Sequence, residues 1–155
     1  MIAEGAKAPD LELAIDVGSK LKLSAVKGRP LVLYFYPKDD TPGCTTEAKD
    51  FTCLIDQFKQ AGADVVGISP DSATSHAKFR AKYELAVKLA SDEDHKIAET
   101  FGSWVEKSMY GKTYMGVDRS TFLIDKAGKV AKAWRKVKVT GHAEEVLAAV
   151  KALNS

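Results

Sequence analysis

Apolar and polar residues alternate with a period of two over residues 11–14 and again over 21–23, with Asp16 to Gly18 between them. The pattern predicts two short strands joined by a turn, a hairpin that needs a larger sheet to lean on. Residues 30–36, Pro-Leu-Val-Leu-Tyr-Phe-Tyr, are apolar almost throughout, as in a strand buried on both faces, and Pro37 ends the run. Beyond a loop over 37–43, residues 44–61 place Ala48, Phe51, Ile55 and Phe58 at helical spacing, with Gly62 as a stop. Residues 65–68 read as a second buried strand, and a helix opened by Asp71 or Ser72 runs through Phe79 to Tyr83. This β-α-β-α order predicts parallel strands with a right-handed crossover.

Further on, residues 87–90 are short and apolar, 92–101 read as a brief helix, and 104–116, rich in Gly, Lys and aromatics, read as a long irregular loop. Residues 120–124 and 129–134 flank a turn at 125–128, an antiparallel hairpin, and 142–153 form a final amphipathic helix. The whole order, β-α-β-α followed by β-β-α, is that of a thioredoxin-like α/β fold: a mixed central sheet with helices on both faces, preceded by an N-terminal β-hairpin. With no repeats and no low-complexity linker, residues 1–155 are expected to form a single domain.

Composition narrows the function. At 45% hydrophobic and 28% charged, the chain is too apolar for disorder and too polar for a membrane protein. Lys and Arg number 23 against 21 Asp and Glu, and the basic residues are scattered, so neither a nucleic-acid nor a membrane partner is expected. The first ten residues carry two acidic side chains and no apolar run, which reads as no secretory signal and an intracellular, cytoplasmic protein. A reducing cytosol argues against a structural disulfide between the two cysteines, Cys44 and Cys53. His76, His95 and His142 lack paired ligand spacing, so no metal is expected and the three read as surface or capping residues.

The chemistry concentrates in Pro37-Lys-Asp-Asp-Thr41-Pro-Gly-Cys44-Thr-Thr-Glu47, where a buried strand hands over to a helix. A cysteine in a first helical turn meets unpaired N–H groups and the positive end of the helix dipole, both of which favour a negative sulfur and a nucleophilic role. Pro42 and Gly43 read as a tight turn ahead of it, and Thr41 as an N-cap, a hydroxyl facing the sulfur, or both. Glu47 reads as a local helix-start residue. A thioredoxin-type disulfide reductase would need C-x-x-C, and here the fourth position is Glu47. A non-catalytic binding protein on the same scaffold is the other alternative, one that predicts no special reactivity at Cys44.

The pattern P-x-x-x-T-x-x-C, here Pro37, Thr41 and Cys44, resembles the active-site motif of the peroxiredoxins (AhpC/TSA type), and the string YFYPKDDTPGCTTEA is similar to the bacterioferritin comigratory protein, or peroxiredoxin Q, subfamily. Matching strings at 65–69, 89–102 and 120–125 carry the resemblance along nearly the whole chain. It implies an antioxidant thiol peroxidase without metal or other cofactor, reducing hydrogen peroxide and organic hydroperoxides. Cys44 would become a sulfenic acid. Thr41 would orient the peroxide, Pro37 would shield the sulfur, and Arg119 would stabilise the developing charge. The electron donor would be thioredoxin, with glutaredoxin or glutathione as alternatives, and the protein a monomer. Trp104, Tyr110 and Tyr114 would either line a wall of the site or pack the loop that carries them.

The chain departs from that pattern at the resolving cysteine. The position five residues after Cys44 is Lys49, and the alternative on the following helix is Arg80. Cys53 is the remaining candidate resolving cysteine, but nine helical residues rise about 13.5 Å, against the Cα separation of about 4.4–6.8 Å that a disulfide wants. Three routes stay open, a one-cysteine cycle with an external thiol, a Cys44–Cys53 bond after extensive unfolding, or a disulfide between two chains; the first is favoured, and Cys53 reads as a buried or half-buried helix residue without redox duty.

Overall fold

The computed structural model describes residues 2–15, 19–23 and 28–153. Strands β1 (Glu12–Ile15) and β2 (Ser19–Lys22) pair antiparallel as the alternation predicts; the turn expected at 16–18 lies outside the described residues. Then follow β3 (Leu31–Phe35), α1 (Pro42–Cys53), α2 (Ile55–Gln60), β4 (Asp64–Ser69), α3 (Ala73–Tyr83), β5 (Lys88–Ser91) and α4 (Lys96–Phe101). The chain continues with β6 (Trp104–Met109), β7 (Lys112–Val117), β8 (Ser120–Ile124), β9 (Val130–Trp134) and α5 (His142–Leu153). The main sheet runs β2-β1-β5-β4-β3-β8-β9, with β3, β4 and β5 parallel and the other pairs antiparallel.

All five residues of β3 are buried, and their alternation divides the interior into two cores. Val32 and Tyr34, with Tyr36 beyond the strand, face Ala48 and Phe51 of α1, Phe58 of α2, Phe79 of α3 and Val146 of α5. Leu31, Leu33 and Phe35 face Phe101 of α4 and the inward residues Leu13 and Ile15 of β1. This is the mixed sheet with helices on both faces. The pairing that matters most is β3 with β8: Phe35 stands opposite Ser120, so the residue just before β8, Arg119, falls beside the loop that leaves β3.

Four expectations change. The helix over 44–61 is two helices, divided at Leu54 (φ −100°, ψ 3°), and the first starts two residues early because Pro42 takes the first helical position, where its missing N–H costs nothing. In consequence Cys53 ends α1 and is exposed rather than buried or half-buried. The segment 104–116 is a β-hairpin, its strands turned by Tyr110 and Gly111, both at positive φ, between Met109 and Lys112. Both faces of its outer half are solvated, so the inside–outside alternation that marks a strand in sequence is absent there. Trp104 stacks on His95 at 4.0 Å between centroids, while Tyr110 is 98% exposed, so these aromatics do not share a wall. Lastly, His76 and His142 are buried, not surface residues: His76 bonds Asp39 and the Ala90 carbonyl, and His142 bonds the Thr121 hydroxyl at 2.7 Å.

Gly67 on β4 lies under the ring of Tyr34, where an added Cβ would stand 2.6 Å from Cζ and 2.7 Å from the hydroxyl oxygen. Both neighbours sit in a filled core, Tyr34 stacking on Phe51 at 4.7 Å. Gly67→Ala should therefore destabilise the protein by about 1–3 kcal/mol, as overpacking does. A urea midpoint unchanged from the wild type would contradict this.

Candidate active site

Leaving β3, the chain passes Pro37, half-buried, and reaches Thr41, the residue before α1, in extended backbone (φ −105°, ψ 155°). The Thr41 hydroxyl does not cap the helix; it donates to the Lys38 carbonyl at 2.8 Å, while the Thr41 carbonyl accepts from the Thr45 N–H at 2.8 Å. The side chain therefore folds back on its own loop. Its oxygen keeps lone-pair capacity for a further donor.

Cys44 is the third residue of α1 and is 2% exposed. Arg119, brought alongside by the β3–β8 register, places Nη2 3.3 Å from the sulfur and Nη1 2.6 Å from Oε1 of Glu47. Cys44 and Glu47 are three apart on one helix and so share a face, which lets one planar guanidinium address both. Gly43 makes room for it: a Cβ there would lie 3.2 Å from Nη2.

The electrostatics follow from burial. Glu47 is 1% exposed, and desolvation pushes its carboxyl up to about 7, against the opposing pull of Arg119. Burial works against the charge on Arg119, yet the negative partners Glu47 and Cys44 more than offset it and hold the guanidinium protonated. Burial, with Glu47 and Cys44 next in weight, likewise drives the Tyr34 hydroxyl well above its ordinary value and keeps it neutral. His142 stays neutral too, burial lowering it to about 4. The cation lies against a buried sulfur in the first turn of a helix, where it can stabilise a negative oxygen that forms beside it.

Of the residues singled out in the sequence, Cys44 and Arg119 are in contact, and Thr41 and Pro37 lie on the loop leading to them. Cys53 stands at the opposite end of α1, apart from this group. Glu47 carries more of the site than its sequence reading allowed; the available signal was its spacing of three from the cysteine. Among the described residues, only Asp39, Asp71 and His76 bring metal-ligand atoms within 4.8 Å of one another, and these atoms are engaged in hydrogen bonds with neighbouring protein groups.

Comparison with known proteins places this arrangement. Residues 5–133 match the AhpC/TSA family. The chain is similar to peroxiredoxin Bcp of Bacillus subtilis (strain 168), 54% identical over 147 residues, with 95% of this chain and 94% of that protein covered. It is also similar to peroxiredoxin Bcp of Escherichia coli (strain K12), 42% identical with 90% of each covered. Among solved structures, the bacterioferritin comigratory protein of Xanthomonas campestris, described for its alkyl peroxide reduction activity, superposes with a TM-score of 0.92 at 47% identity, covering 99% of this chain and 100% of that one. A variant of PrxQ from Xylella fastidiosa gives a TM-score of 0.94 at 41% identity, with 100% and 99% covered. Built on a thioredoxin-like sheet and sharing about half its residues with such relatives, the chain belongs to the AhpC/TSA family, among the peroxiredoxins of the Bcp or Q type.

Proposed function

We propose that the protein reduces hydrogen peroxide and alkyl hydroperoxides through Cys44, with Arg119, Thr41 and Pro37 completing the site. The observation that carries this reading is the single guanidinium shared between the Cys44 sulfur and the buried Glu47 carboxyl. The thiolate attacks the terminal peroxide oxygen, the S–O bond forms as the O–O bond breaks, and the departing oxygen takes a proton and leaves as water or alcohol. Cys44 is left as a sulfenic acid. Arg119 stabilises charge on sulfur before the step and on the peroxide oxygens during it. Thr41, its hydroxyl hydrogen committed to Lys38, receives a hydrogen bond from the peroxide, and Pro37 limits water at the mouth of the loop.

The sulfenic acid is returned to thiol by an outside reductant in two exchanges: one thiol condenses with it, releasing water, and a second displaces the resulting mixed disulfide. Thioredoxin is the donor we favour, with glutaredoxin or glutathione as the alternatives. Lys49 and Arg80 stand where a resolving cysteine would, and Cys53 is separated from Cys44 by the length of α1, which supports a one-cysteine cycle. The reading includes one domain acting as a monomer, since a single chain supplies the whole cysteine–arginine–glutamate group. It places the protein in the cytoplasm, a setting that suits two unpaired cysteines. No helix of the described residues is long and apolar enough to cross a membrane.

Cys44→Ser should abolish peroxide turnover, and Arg119→Ala should slow the reaction of Cys44 with hydrogen peroxide about a hundredfold, the scale of removing an oxyanion donor. Stopped-flow oxidation kinetics check both, and a fully active Arg119→Ala variant would refute the role given to that residue. Cys53→Ser should leave thiol-driven turnover unchanged, whereas arrest with a sulfenic acid trapped on Cys44 would make Cys53 the resolving residue. Glu47 holds its proton more tightly folded than unfolded, so between about 4.5 and about 7 it makes stability fall as pH rises. The loss is on the order of 3 kcal/mol over that window. Urea unfolding of Glu47→Gln should lack this component, and identical pH slopes in the two proteins would refute it.

A further inference from the structure

The loop that carries Thr41 is fastened to α3 by a buried network that the peroxide chemistry does not use. Asp39, 6% exposed, accepts from the Tyr36 hydroxyl at 2.6 Å and from the Ser75 hydroxyl at 2.8 Å, and its Oδ2 lies 2.7 Å from His76 Nδ1. The Asp39 N–H donates to Asp71 at 2.8 Å. His76 is 1% exposed in the first half of α3, and its Nε2 stands 3.0 Å from the Ala90 carbonyl oxygen on β5. A carbonyl can only accept, so Nε2 carries a hydrogen. Nδ1 faces a carboxylate oxygen that already takes the Ser75 hydroxyl, so a second proton lies between ring and carboxylate. The pair shares a short, enclosed hydrogen bond, with its remaining positions satisfied. The next residue, Asp40, reaches the same helix at the surface, meeting Lys82 at 2.8 Å and the Tyr83 hydroxyl at 2.6 Å. Of these two ties the buried one dominates, because breaking it strands hydrogen-bonding groups away from water, whereas an exposed pair contributes little.

The reaction read above, on which this inference rests, makes opposite demands on the loop. Cys44 is 2% exposed, which suits attack on a small peroxide held out of bulk water. A thiol reductant, and above all a protein one, has to reach the same sulfur, so the loop and the first turn of α1 have to move away. We infer that the Asp39–His76 pair is the latch on this movement. As positioning residues they hold the loop closed for the peroxide step, and the strength of their pairing sets how often Cys44 is uncovered for reduction.

The test uses the full chain in a Cys53→Ser background, so that Cys44 is the one thiol present, and reads two rates: oxidation by hydrogen peroxide and alkylation by a bulky fluorescein maleimide. His76→Leu and Asp39→Ala should each slow oxidation and speed alkylation, by about tenfold or more, since either removes one partner of a buried hydrogen bond and strands the other. The double variant should be no worse than the singles, because both substitutions remove one interaction. Val146→Ala, at a buried position of α5 outside the Asp39–His76 pair, supplies a control that lowers thermal stability while keeping both residues of the latch. Opposite movement of the two rates is what a merely structural role would not produce. Rates within twofold of the background, or changes that parallel Val146→Ala, would overturn the latch. A slow peroxide reaction in the background protein would instead count against the peroxidase reading, and the alkylation arm would still decide the latch.

Discussion

The site depends on one guanidinium held between a sulfur and a carboxyl group. Arg119 is charged in a place that disfavours charge, and it remains so because Glu47 and Cys44 supply negative partners at 2.6 Å and 3.3 Å. Each member constrains the others: without the cation, Glu47 would be an unpaired buried carboxyl and the sulfur would lose its charged neighbour. The arrangement has the economy of a planar fork, two N–H groups reaching two different atoms on one helix face.

Secondary structure delivers these residues from well-separated parts of the chain. Cys44 and Glu47 come on the first turns of α1, which must leave β3 abruptly, and Arg119 comes from the start of β8. The β3–β8 register, Phe35 opposite Ser120, brings the end of β3 level with the beginning of β8. Gly43 then allows the close approach, and the aromatic layer of Tyr34 and Tyr36 forms the floor against which α1 rests through Phe51. The floor is apolar where the helix packs and polar where the Tyr36 hydroxyl meets Asp39, so the same side chain serves the core and ties down the loop.

Much of this is legible in the sequence because strong patterns mark it. The apolar run ending at Pro37, the helical spacing of Ala48, Phe51 and Phe58, and the closing hairpin and helix all appear where the periodicities place them. The motif residues Pro37, Thr41 and Cys44, and with them Arg119, stand out in the sequence through the resemblance to the peroxiredoxins. What escapes has weaker signals. The β6–β7 ribbon buries little of its outer half, so it lacks the alternation that a half-buried strand writes into its sequence. The break at Leu54 involves neither Gly nor Pro. His76, His142 and Glu47 are polar residues buried by partners as many as 72 residues away, and no local pattern encodes such a partner.

The separation between Cys44 and Arg119 has a consequence for the birth of the protein. Synthesis proceeds from the N-terminus, and 75 residues separate the cysteine from the arginine that touches it. A nascent chain that has emerged only through β5 contains the thiol, the loop and the parallel half of the sheet, but not the guanidinium. The contact closes when β8 docks on the far edge of β3, a late and long-range event. The growing polypeptide therefore carries Cys44 without its cationic partner through most of its time on the ribosome, and the cysteine–arginine contact is assembled with the last strands.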